Sequence, residues 1–417
     1  MARGFDCVGG LTGMDPASRR TGLWVAGVAL VAVVGVLLLA WPWPGGVSPD
    51  LPRVSPEEVF AASELRLFRD YYLMQRVLSL FSLALSLVLA AILGLTDLGV
   101  RLASRLRGPW WLQVVTACFA FMAATTLVVL PMGWWLQLRS TRAGLSAGGW
   151  RQWWLDQSLG LLTSWLLAAL PLLLLILAMR KFPRRWPLAA GGGAVVLVFL
   201  ASYFSPLLIE PIFNDFRPLR DQTLLAEVQD LAKSEQVAVS RVLVADASRR
   251  TTTLNAYVSG FGNTRRVVIY DNLIDGAPRR EVLAVVAHEL AHAKHSDQFW
   301  GTALLAGAAA FAMGLLPQLL RGWRNEPDAR IVPRLMALSM VAGLALAPIQ
   351  NAVSRAMEAR ADQDAIRATS DPAGYEQMLI RLVRTSRSDP APPWLLQLWF
   401  GSHPSIVERI AIARGAE

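Results

Sequence analysis

The chain has 417 residues, 54% of them apolar and only 17% charged, and its mean hydropathy is +0.40, whereas a soluble domain carries about 25% charged residues. Disorder and a purely soluble enzyme are excluded, because the apolar residues gather in long charge-free runs instead of spreading as separate buried cores. The formal net charge of +9 reflects 40 Lys and Arg against 31 acids, but the cations mostly flank apolar runs, where they meet lipid headgroups, so no nucleic-acid partner is expected.

In chain order, a polar arm (1–22) precedes charge-free runs at 23–49, 77–96, 108–138, 157–179 and 186–209, and two more follow at 298–320 and 335–354. Each is long enough to cross about 30 Å of hydrocarbon as a helix. Trp41, Trp43, Trp110, Trp111, Trp134, Trp135 and Trp186 sit near run ends, as interfacial belts require. Trp41-Pro42-Trp43-Pro44 is no small-residue cleavage site, so the first run reads as a retained helix. The resulting division is five spans over 23–209, a polar module over 210–297, two spans over 298–354, and a helical C-terminal part over 355–417.

Within the module, Leu224 to Ser234 reads as an amphipathic helix and Ser240 to Ala245 as a short strand. Asn255 to Ser259 and Arg265 to Tyr270 alternate around Gly260-Phe261-Gly262-Asn263, a hairpin signal. After Pro278, an apolar-periodic helix runs from about Arg279 to His295, almost straight into the sixth span.

That helix carries Ala287-His288-Glu289-Leu290-Ala291-His292. At 3.6 residues per turn, His288 and His292 stand one above the other, so both imidazoles can point at one zinc ion. Glu289 is about 100° further round, placed to act as general base toward a zinc-bound water whose pKa the metal lowers to about 7. With only four histidines in the chain, about 0.001 chance matches to H-E-x-x-H are expected, so coincidence is a poor explanation. A catalytic zinc needs a third protein ligand and an open position. His295 lies about 10 Å along the helix axis from His288, beyond one ion's reach. Glu358, in the charged helical stretch Ser354 to Asp362, is the better third ligand, although such a stretch alone would read as a solvated face. Asp362, at i+4, shares its face and suits the remaining ring N–H of a zinc histidine. Cys7 and Cys118 can supply neither a disulfide framework nor a thiolate zinc site.

These motifs resemble the type I CAAX prenyl protease family, gluzincin-type integral-membrane zinc endopeptidases. The resemblance rests on the H-E-x-x-H helix, the Glu358-x-x-x-Asp362 helix, Leu254-Asn255-Ala256-Tyr257, Asp271-Asn272-Leu273, Pro211 to Leu219, and His403-Pro404-Ser405 with Glu408-Arg409. It covers roughly residues 205 to 410. It implies an all-α polytopic membrane protein whose seven transmembrane helices form a barrel around a chamber, with a small α+β zinc-peptidase domain. It also implies one Zn2+ held by His288, His292 and Glu358, with Glu289 as base and Asp362 orienting a ligand. His403 would donate to the oxyanion, and Asn255, Ala256 and Tyr257 would hold an extended peptide. Arg409 either pairs with a carboxylate near the zinc or faces solvent.

The expected activity is zinc-dependent hydrolysis of peptide bonds in membrane-associated or lipidated substrates. The alternatives are broad membrane-protein quality control, or a non-catalytic membrane scaffold with structural zinc. Of the 40 cations 37 are Arg, a bias that points to a GC-rich bacterial genome and hence to a bacterial cytoplasmic membrane. Short polar segments hold 14 Lys and Arg on the N-terminal side of the membrane and 7 on the other. That count puts the zinc module outside by the positive-inside rule, opposite to the eukaryotic relatives. Neither the catalytic side nor an oligomeric state follows from the residues.

Overall fold

The computed structural model describes residues 15–40, 50–323 and 327–416. The first five long helices are α1 (Pro16–Ala40), α2 (Ala62–Leu95), α3 (Trp110–Arg142), α4 (Trp150–Lys181) and α5 (Trp186–Leu208). Then come β1 (Phe216–Pro218), α6 (Gln222–Ser234), β2 (Arg241–Ala245), β3 (Ala256–Ser259), β4 (Arg266–Tyr270) and α7 (Arg279–Lys294). The long helices α8 (Asp297–Leu319) and α9 (Val332–Thr369) complete seven that are long and apolar enough to span a membrane. Three shorter helices close the chain: α10 (Pro372–Ser386), α11 (Trp394–Phe400) and α12 (Ile406–Arg414).

In hydrocarbon every backbone N–H and C=O must be satisfied within its own segment, which makes helix the only outcome for such runs. The helices nevertheless outrun the charge-free stretches, because polar residues continue the backbone ladder beyond the hydrocarbon. Helix α2 starts 15 residues ahead of its run, where the Glu64 carboxylate accepts from the Ala61 N–H at 3.0 Å. Helix α9 continues through the charged stretch to Thr369 and stops at Ser370, whose φ is 50°. Glu358 and Asp362 therefore stand on the same rod as the seventh span. Residues 41–49 of the expected first run and most of the polar arm lie outside the described residues; Pro16 to Gly22, assigned to the arm, are already helical.

Around the barrel, α1 packs on α8, α8 on α5, α5 on α4, α4 on α3, α3 on α2, and α2 on α9. Many large apolar side chains on these helices stay exposed, such as Val31, Leu127, Leu166 and Leu208, the surface a bilayer covers.

The polar module contains one four-stranded sheet in the order β1-β2-β4-β3. Strands β3 and β4 form the expected antiparallel hairpin, with Ala256 opposite Ile269 and Ser259 opposite Arg266. Strand β4 also runs parallel to β2, and β1 pairs antiparallel with β2. Three residues ending in a proline are too short to show a period, so β1 has no sequence signature. Period-2 alternation places Val267 and Ile269 of β4 in the main core, while Val268 joins Leu243 and Ala245 on the opposite face.

The main core joins parts that are far apart in the chain. Leu224 and Val228 of α6, Val282, Val286 and Leu290 of α7, and Leu379, Val383 and Ile410 of the C-terminal helices bury together. The expected straight passage from α7 into the sixth span is broken: Ser296 adopts φ 56°, ψ 37° between α7 and α8. A left-handed residue ends one helical ladder and re-aims the next.

Candidate metal centre and active site

Helix α7 starts after Pro278, which fixes the backbone at its N-cap, and presents two imidazoles on one face. His288 Nε2 and His292 Nε2 lie 3.2 Å apart, with the ring planes at 90°. Helix α9 packs against α7 through small residues, Ala359 and Ala361 being fully buried. That approach brings Glu358 Oε2 to 3.1 Å from His288 Nε2, and Glu358 Oε1 to 3.5 Å from His292 Nε2. The three groups offer one donor atom each within 4.8 Å of one another.

Behind His288 lies a buried charged network. Its Nδ1 is 3.0 Å from Asp362 Oδ1 and 3.1 Å from the Tyr375 hydroxyl. Asp362 is fully buried; Arg409 donates to both its oxygens, at 2.9 and 2.7 Å, and Tyr375 donates to it at 2.6 Å. Of the two alternatives for Arg409, the carboxylate partner is the one found. Burial pulls the His288 pKa down, but the hydrogen bonds to Asp362 and Glu358 outweigh it and raise the pKa to about 10. Burial pushes the Tyr375 phenol well above its usual range, with Asp362 adding to the effect, so it stays a neutral donor. The pocket is thus arranged to stabilise positive charge.

The Glu289 carboxyl is raised above the usual carboxylate range, chiefly by burial. Among the described residues none donates a hydrogen bond to it. His403, in the loop between α11 and α12, reaches the same centre: its Nε2 lies 3.2 Å from Glu358 Oε1, and its Nδ1 lies 2.9 Å from Ser402 Oγ. The Gln397 side chain donates to the His403 carbonyl at 2.5 Å, fixing the loop to α11. The His403 side chain is 54% exposed while touching the buried Glu358.

Strand β3 packs on α7 and is one of the two outer strands of the sheet. Asn255 is exposed just before it, while its carbonyl accepts from the Tyr270 N–H at 3.0 Å. Ala256 is core, and the Tyr257 hydroxyl donates to Glu210 at 2.9 Å. Of the three expected peptide-holding residues, only Asn255 has its side chain exposed. His295 turns away from the centre to Asp364, 2.6 Å from its Nε2. Two partners of the imidazoles were not anticipated from the sequence, Tyr375 and Asp297. Tyr375 hides in the ordinary apolar stripe of α10, with Met378, Leu379 and Val383. Asp297 had a visible signal, an acid at the very edge of a charge-free run.

The donor set fits zinc. Two imidazole nitrogens and one carboxylate oxygen make a three-ligand catalytic set with a fourth position left for water or substrate. Ligands about 2.1 Å from a tetrahedral ion stand roughly 3.4 Å apart, close to the 3.1, 3.2 and 3.5 Å found here.

Comparison with known proteins points to the same class of protein. Residues 218–417 match the model of peptidase family M48, and residues 50–215 match that of the CAAX prenyl protease N-terminal region, five membrane helices. A Bacillus subtilis protein named uncharacterized metalloprotease YhfN is 27% identical over 94% of this chain and 97% of its own length. The Arabidopsis thaliana CAAX prenyl protease 1 homolog is 30% identical over 53% of this chain and 54% of its own, so the match spans about half of that plant relative. The crystal structure of S. mikatae Ste24p superposes with a TM-score of 0.76 at 20% identity, over 94% of this chain and 99% of that one, and so shares the fold. The chain belongs to peptidase family M48, with the five-helix membrane region of CAAX prenyl proteases ahead of the peptidase part, and is a multi-pass membrane metalloendopeptidase.

Proposed function

We propose that the protein is a zinc-dependent endopeptidase of a bacterial cytoplasmic membrane that hydrolyses peptide bonds in membrane-associated or lipidated substrates. His288, His292 and Glu358 hold one zinc ion. The observation that carries this reading is their convergence from two helices, backed by the buried Asp362–Arg409 pair. Bound there, zinc supplies a Lewis acid that polarises a peptide carbonyl and makes water more acidic.

The remaining work falls to the chain's own residues. The outer edge of β3, beginning at the exposed Asn255, pairs with an extended peptide by strand addition and lays it along α7. Glu289, without a hydrogen-bond donor among the described residues and with its pKa raised, takes the proton from the attacking water and returns it to the departing nitrogen. His403 donates a hydrogen bond to the carbonyl oxygen as negative charge develops there. Asp362, fixed by Arg409 and Tyr375, holds His288 in the tautomer that leaves Nε2 free for the metal.

Glu289→Gln in purified protein tests the reading. We expect zinc content equal to wild type and a fall in peptide hydrolysis of about 10²–10⁴-fold. A variant that cleaves at the wild-type rate removes Glu289 as the base. Comparing a lipid-modified peptide with the same peptide unmodified tests the substrate class, and equal kcat/KM for the two would remove lipid recognition from the proposal.

A further inference from the structure

Each imidazole of the metal centre has a carboxylate behind it, and the two carboxylates come from different places. For His288 it is Asp362, on the helix that supplies Glu358. For His292 it is Asp297, the first residue of α8: its Oδ2 lies 2.9 Å from His292 Nδ1, and its Oδ1 accepts from Arg360 Nη2 on α9. An acid in the first turn of a helix is favoured by the backbone dipole alone, which would explain an exposed aspartate. Asp297 is instead 8% exposed, and its two oxygens are divided between an imidazole and a guanidinium. A buried carboxylate is costly unless paired and hydrogen-bonded, so this placement needs a reason beyond the helix end.

We propose that Asp297 is the positioning residue of His292 and that Arg360, on α9, holds Asp297 in place at the start of α8. The inference rests on the reading of His288, His292 and Glu358 as zinc ligands. An imidazole that gives its Nε2 lone pair to a metal must carry its proton on Nδ1, and an acceptor at Nδ1 fixes that tautomer and the rotation of the ring. Asp297 supplies the acceptor. The left-handed Ser296 places it there, because that residue ends the α7 ladder and brings the first turn of α8 back beside His292. The centre then has two matching arms, Arg409–Asp362–His288 and Arg360–Asp297–His292. Arg360 uses a single nitrogen on Asp297, and its buried Nε has no partner among the described residues. A lysine can therefore replace it, which would not hold for a bidentate pair.

The test measures zinc affinity by competition with a chromophoric chelator, and the visible absorption spectrum of the cobalt-loaded protein, on the full chain in detergent. Asp297→Ala is expected to weaken zinc by about 10–100-fold and to change the cobalt spectrum, because the second imidazole is no longer held. Arg360→Ala is expected to weaken zinc in the same direction, and Arg360→Lys to recover most of the loss. Melting of the zinc-stripped proteins separates misfolding from a local effect; if Asp297→Ala does not fold, the near-isosteric Asp297→Leu, which has no acceptor for His292 Nδ1, carries the same test. Wild-type zinc affinity and an unchanged cobalt spectrum in the folded Asp297 variant would overturn the proposal. Equal losses in Arg360→Lys and Arg360→Ala would overturn the part assigned to Arg360. A wild-type chain that binds no zinc would instead overturn the reading of the ligands themselves, a result distinct from either.

Discussion

At the scale of single residues, the decisive difference is between side chains that give electrons to a metal and those that hold the givers. On the proposed reading Glu358 belongs to the first group, so Glu358→Ala should abolish stoichiometric zinc after dialysis, read by metal analysis; full retention would require another third ligand. Arg409 belongs to the second. It is buried against the fully buried Asp362, so Arg409→Ala leaves a carboxylate in the interior without its cation, a change that costs about 3–5 kcal/mol in such pairs. The expected outcome is a clear fall in melting temperature in detergent even with the zinc removed. The same division explains what was legible in the amino-acid sequence. His288, Glu289 and His292 were legible because their relation is local, set by 3.6 residues per turn. Glu358 and Asp362 could be paired with them only as a carboxylate i,i+4 repeat in a polar stretch. Tyr375 was not legible at all, since a phenol in the apolar stripe of an amphipathic helix reads as core until the neighbouring helix is known.

At the scale of elements, seven spans could be counted from charge-free runs, but their ends and their neighbours could not. Hydropathy marks where lipid begins, whereas helix ends are set by caps and left-handed residues such as Ser296 and Ser370. Neighbours are set by shape. A Cβ on Gly22 would lie 2.4 Å from the Gly314 carbonyl oxygen, and one on Gly314 would lie 2.5 Å from the Ala26 nitrogen. Gly307 meets Val33 in the same way. Helices α1 and α8 thus touch backbone to backbone along a stripe of small residues, the means by which helices associate in lipid, where no hydrophobic force draws them together. Gly314→Leu must push these helices apart or strain them. It should cost about 1–3 kcal/mol or more, seen as a lowered melting temperature in detergent, with zinc still bound in the fraction that stays folded. An unchanged melting temperature would mean that the two helices do not meet there.

At the scale of the whole molecule, the proposed metal centre belongs to no single segment. The 210–297 stretch supplies His288, His292 and Glu289, α9 supplies Glu358, and the C-terminal part supplies Tyr375, His403 and Arg409. The core has the same distribution: Phe60 and Phe68, ahead of and within α2, and Leu379, Val383 and Ile410 of the C-terminal helices bury with Val286 and Leu290 of α7. Burying a side chain of this size contributes about 1.5–3 kcal/mol. Five of them together supply on the order of the 5–15 kcal/mol by which a typical domain is stable. The 210–297 stretch expressed alone keeps H-E-x-x-H yet loses that packing and the Glu358 carboxylate. It should show no cooperative melting and bind zinc far more weakly than the intact chain, measured by circular dichroism and chelator competition. A fragment that melts sharply and holds zinc as tightly as the full protein would show that the spans are only an anchor. The contacts between α7 and α9 argue the reverse, that the membrane helices and the peptidase core assemble as one structure.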